Sequence, residues 1–126
     1  VWRPAETNTH QDHVIAHIIG ASVLGYFVWD ETAFLLLDIG FIWNIYLDGE
    51  MGLRPETLAM SELRAAIDKD FDEITRPVPV RNPSPIESVE FFEHDDGRRL
   101  LLICEEQTLV LETSFSTRNI KIEHKE

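Results

Sequence analysis

Residues 22–47, SVLGYFVWDETAFLLLDIGFIWNIYL, decide the fold. Val23 to Trp29 is a run of aliphatic and aromatic side chains, Asp30-Glu31-Thr32 is a turn, and Ala33 to Ile39 is a second apolar run, so the stretch opens as a hairpin. Gly40 allows a bend. Phe41 to Leu47 then reads as a third strand, ended by Asp48-Gly49, a dipeptide suited to a tight turn because glycine takes positive φ at no steric cost. Both faces of these strands are apolar. Phe41, Trp43, Ile45 and Leu47 point one way, and Ile42 and Tyr46 point the other, with only Asn44 polar. Strands of this kind are covered on both sides.

Working outward, the first candidate for a cover is a helix from about Ser61 to Ile74. Leu63, Ala66, Ile67, Phe71 and Ile74 form a helical stripe, and Ser61 is a good N-cap. On the N-terminal side, residues 1–9 are a polar lead-in, and His10 to Ile19 carries two readings. Apolar positions 14, 15, 18 and 19 fit a helix, with Thr9 and Asp12 placed like a capping box and Gly20 as a stop. The β-branched Val14, Ile15, Ile18 and Ile19 fit a strand.

Beyond the helix, Pro77, Pro79, Pro83 and Pro85 hold Arg76 to Pro85 extended, as a connector or an arm. The remainder reads as a second meander: Ile86 to His94, Arg98 to Glu105, Thr108 to Thr113 and an edge strand Asn119 to Glu123. The expected fold is therefore α+β and a single domain over residues 1–126. Two antiparallel β-meanders, about seven strands, form a sandwich or strongly curved sheet with one amphipathic helix near 61–74. A shift of 66 positions aligns Ser22, Val23, Asp30, Leu35 and Leu36 with Ser88, Val89, Asp96, Leu101 and Leu102. Two meanders with acidic turns align this way by composition; a true repeat would set two similar units against each other.

Composition bounds the function. The chain carries 23 Asp and Glu against 11 Lys and Arg, a net charge of −12, which repels phosphate backbones and argues against a nucleic-acid partner. The same excess suits a basic protein partner. The apolar stretch from Val14 to Leu47 is interrupted by Asp30, Glu31 and Asp38, short of the roughly 20 apolar residues a bilayer span requires, so no membrane partner is expected. Cys104 has no second cysteine to pair with, which points to the reducing cytoplasm. In Leu100-Leu101-Leu102-Ile103-Cys104 it reads as a small core hydrophobe.

Three constellations could carry chemistry. His10, His13 and His17 share one side of a helix and could ligate a metal such as Zn²⁺, although the Glu of an H-E-x-x-H signature is lacking. Asp68, Asp70 and Asp72 open like a calcium loop, but Glu73 stands where that loop requires Gly and Pro79 where it requires Glu. Asp38 is a lone acid in an apolar run. It would serve either a small-molecule or hydrolytic pocket, with Asn44, Trp43 and Tyr46 around it, or a turn in which the carboxylate accepts backbone N–H groups. No G-x-S-x-G elbow, Gly-rich phosphate loop or cofactor motif occurs. The aromatic strands supply further ligand or interface candidates in Tyr26 and Trp29. The leading expectation is a non-catalytic binding or protein-interaction domain, associating as a homodimer through this aromatic surface.

Overall fold

The computed structural model describes residues 1–125. In chain order the elements are β1 (Arg3–Pro4), α1 (Thr9–Ile18), β2 (Val23–Trp29), β3 (Thr32–Leu37), β4 (Phe41–Tyr46), β5 (Met51–Pro55), α2 (Glu56–Ala66), α3 (Phe71–Ile74), β6 (Val78–Pro79), β7 (Ile86–His94), β8 (Gly97–Cys104), β9 (Thr108–Ser114) and β10 (Asn119–Lys125). They form two five-stranded antiparallel sheets, ordered β5-β4-β3-β2-β6 and β1-β7-β8-β9-β10. The class is α+β, as the apolar runs and turns imply.

Among the described residues ten strands replace the seven expected. The additions are β5 and the two-residue strands β1 and β6. β6 lies within the Pro-rich connector, which pairs with the edge of β2 where a missing proline N–H does no harm. Gly25 permits this approach, since a Cβ there would lie 2.9 Å from Pro77 Cβ.

The two sheets share one core. Val23, Leu35, Leu37, Trp43 and Ile45 of the first meet Ile86, Leu100, Leu102, Leu109 and Leu111 of the second, and α1 closes one end with Val14 and Ile18. A second core lies on the other side of the first sheet, where Ala59, Leu63 and Ile67 cover Phe27, Phe34 and Ile42. The first sheet is thus covered on both faces, as its doubly apolar strands require.

Helix boundaries differ from expectation. Residues 9–18 are helical because Val14 and Ile18, one turn apart, bury together. The cap is Asn8, not Thr9. Its side chain accepts the Gln11 N–H at 2.8 Å, and the Gln11 side chain accepts the Asn8 N–H at 2.9 Å. The single helix over 61–74 is two. α2 begins directly after Pro55, so Ser61 lies mid-helix, and Ile67 leaves the helical conformation to bury against the second core. Asp70 takes φ of +62° before α3 restarts. Among the described residues no helix is long and apolar enough to cross a membrane.

The two meanders are built alike. Three residues join β3 to β4 (38–40) and β8 to β9 (105–107). The register of β2 on β3 shifts between Val23 and Gly25, and that of β7 on β8 between Ile86 and Ser88. Each sheet takes its short fifth strand from the segment leading into the other meander, β1 onto β7 and β6 onto β2. The ladders match Leu35 to Leu102, an offset of 67. The 66-residue echo instead superposes core-facing Leu35 on Leu101, whose side chain is not in the shared core. The resemblance is therefore one of ladder geometry, and the identities seen at 66 do not trace it along the second strand.

Candidate interaction surface

Following the ladders across each sheet gives matched rows on the two outer faces. Phe27, Phe34, Asn44 and Gly52 pair in series on the first sheet, and Glu90, Leu101, Val110 and Glu123 pair in series on the second. One step along, Ile42 and Arg54 correspond to Thr108 and Lys125. These matched faces are treated differently.

On the first sheet α2 lies over the row. Arg54 reaches up to the helix and pairs with Glu62 at 3.4 Å. Gly52 contributes no side chain, and a cleft of about 210 Å³ remains beneath the helix, lined by Trp29, Phe34, Asn44, Arg54, Ala59, Glu62, Leu63 and Ala66. Among the described residues the Asn44 Oδ1, buried there, has no hydrogen-bond partner. An unpaired buried amide oxygen is costly, so the position is not explained by packing alone.

On the second sheet the matched place is an open groove of about 420 Å³, lined by strand residues only: Arg99, Leu101, Thr108, Val110, Glu112, Lys121, Glu123 and Lys125. Val110 is 6% exposed yet belongs to neither apolar core. It forms the floor of the groove, among the longer polar side chains that line it. Arg99 donates through Nε to Glu112 Oε2 at 2.7 Å, and Lys121 lies 3.4 Å from Glu123. The Trp2 ring, tilted against His94 with centroids 3.9 Å apart and 5.0 Å from the Arg99 guanidinium, lies on the β1 side of the same face.

The expected site residues do not gather in one place. Trp29 and Asn44 line the cleft under α2. Trp43 is fully buried between the sheets, and Tyr26 packs on the same side, edge-on to His124 at 5.8 Å. Burial raises the Tyr26 hydroxyl pKa above its usual value. Tyr46 lies in register with Thr32 at the β2–β3 turn, beside Asp30, Glu31, Asp48 and Arg118. Asp38 occupies an exposed turn, where its Oδ1 accepts the Ser22 N–H at 2.9 Å. It lines neither the cleft nor the groove.

The histidines are also separated. His10 Nε2 donates to the Met51 carbonyl at 3.0 Å, and His17 Nδ1 donates to the His13 carbonyl at 2.7 Å. Among the described residues no three His, Cys, Asp or Glu side chains converge as a metal requires. Cys104 is buried, and burial followed by the nearby Glu87 carboxylate raises its thiol pKa.

No family model, characterised protein or solved structure matches the chain. The groove residues escape a reading of the sequence because Leu101, Leu102 and Ile103 are consecutive and apolar, so the strand shows no polar face. The available signal is the register of Arg99, Leu101 and Ile103 against Thr108, Val110 and Glu112, which only the ladder supplies.

Proposed function

We propose that the protein is a non-catalytic binding domain that holds a protein partner on the outer face of its second sheet. The observation that carries this reading is the difference between matched faces. One is covered by the chain's own α2, and the other offers a groove with Leu101 at its centre, Val110 at its floor and charges around them. Binding surfaces combine an apolar centre with a polar rim in this way. The net charge of −12 supports long-range attraction of a partner that is basic overall. The aromatic strands that motivated self-association are occupied by the shared core and by α2, which leaves this face as the place where two copies would meet. Affinity selection from a cell extract with wild type, Leu101→Asp and Asp38→Asn tests the reading. A protein retained by wild type and Asp38→Asn but lost on Leu101→Asp supports it. Equal retention by all three contradicts it.

A second reading is favoured by Asn44 alone: a small ligand bearing an N–H or O–H donor enters the cleft under α2. Ligand-observed NMR with amide-bearing fragments would support it through contacts to the Trp29 indole that Asn44→Val removes.

A further inference from the structure

We propose that the groove over Leu101 and Val110 is the seat of an amphipathic helix from a partner protein, docked as α2 docks on the sister sheet. This rests on the binding-domain reading above and names its occupant. The ladders place Leu101 where Phe34 stands, Val110 where Asn44 stands and Lys125 where Arg54 stands. On the first sheet those positions receive Ala59 and Leu63, one helical turn apart, with Glu62 beside them on Arg54. A helix in the matched groove therefore presents small and aliphatic side chains at i and i+4 to Leu101, over the floor that Val110 forms.

Charge specifies the helix further. The groove lining carries three cations (Arg99, Lys121, Lys125) and two acids (Glu112, Glu123), with Glu90 paired to Leu101 on the same face, so this face is near neutral within a chain of net −12. Arg99 is engaged by Glu112 and Lys121 by Glu123. Among the described residues no ion pair engages Lys125, which is matched to Arg54, so it is the cation placed to meet the helix, and the side chain it meets is acidic, as Glu62 is. Long-range attraction by the whole molecule and contact at the rim act at different distances, so a partner basic overall still places an acid at this point.

The probe is a fluorescently labelled, helix-stapled peptide of residues 55–68, added to the full chain and followed by anisotropy. Saturable binding is expected. Lys125→Glu weakens it by about fivefold, the peptide's Glu62→Lys does the same, and the two together restore it, the size expected for an exposed ion pair. Leu101→Asp abolishes binding. Should Leu101→Asp fail to fold by circular dichroism, the Lys125 swap on the exposed end of β10 decides the matter. No saturation at millimolar peptide, or binding indifferent to both substitutions, overturns the helix seat. A dimer in sedimentation that Leu101→Asp dissociates would also overturn it while leaving the face an interface, whereas indifference of every association to Leu101→Asp would overturn the binding-domain reading itself.

Discussion

Ser22 and Pro85 bridge each other in antiparallel fashion, and they occupy the same place in their respective meanders. The Ser22 carbonyl accepts the Asp38 N–H at 3.0 Å, and the Pro85 carbonyl accepts the Glu105 N–H at 3.1 Å. Matched positions that pair with each other are what a local two-fold relation produces. The match breaks at one atom. Ser22 has an N–H that its counterpart, a proline, lacks, and Asp38 Oδ1 accepts it. This gives the lone acid of the apolar run a structural role.

Removing that acceptor leaves a buried donor unpaired. Asp38→Ala is expected to destabilise the protein by about 1–2 kcal/mol, and Asp38→Asn, which keeps an acceptor oxygen, by less than half as much. Urea unfolding of the two variants measures the difference.

Asn44 presents the opposite case. Its Oδ1 has no partner among the described residues, and the matched position in the second sheet is the apolar Val110. Asn44→Val removes an unsatisfied polar group and adds a β-branched side chain in a strand, so a gain of about 1 kcal/mol is expected. A rise in thermal midpoint checks it. A fall would show that the amide is held by contacts the apolar side chain cannot supply.

Gly97 opens β8 against β9, where a Cβ would meet the Thr113 carbonyl oxygen at 2.0 Å. No side-chain adjustment relieves a clash with backbone. Gly97→Ala is expected to cost about 3 kcal/mol or more, read as a shift in the urea midpoint.

Asp96 makes stability pH-dependent. Hydrogen bonds from the Ser116 and Ser114 hydroxyls, then the Ser116 N–H, lower its carboxyl pKa. A carboxyl lowered in the folded state binds fewer protons than in the unfolded chain, so its contribution is complete above about pH 4, the ordinary carboxylate value. It fades as pH falls through the lowered folded value. Asp96→Asn should therefore flatten the acid limb of stability against pH below about pH 4, with little effect on its slope near pH 7.

The extent to which the sequence revealed this molecule follows from physical range. Local patterns carried the hairpin of Val23 to Leu37, the acidic turns and the second meander, because alternation and turn chemistry act over a few residues. The start of α2 was hidden behind Pro55, which ends a strand and begins a helix at adjacent residues. β1 and β6 were hidden because two-residue strands have no periodicity, and each depends on a partner far along the chain. Of the site candidates, Trp43 was drawn toward a ligand by residue type alone, and its complete burial is a matter of sheet packing. The groove depends on register between β8, β9 and β10, a long-range property no single segment displays.

The contrast between matched faces is tested most directly by one comparison, the unfolding free energies of Phe34→Asp and Leu101→Asp in urea. Phe34 is covered by α2 and 6% exposed, whereas Leu101 faces the open groove. The expected result is a cost of about 3–5 kcal/mol or outright unfolding for Phe34→Asp, and under about 1 kcal/mol for Leu101→Asp. Comparable costs at the two positions would show that the second face is closed in solution, and would contradict the assignment of the groove as a binding surface.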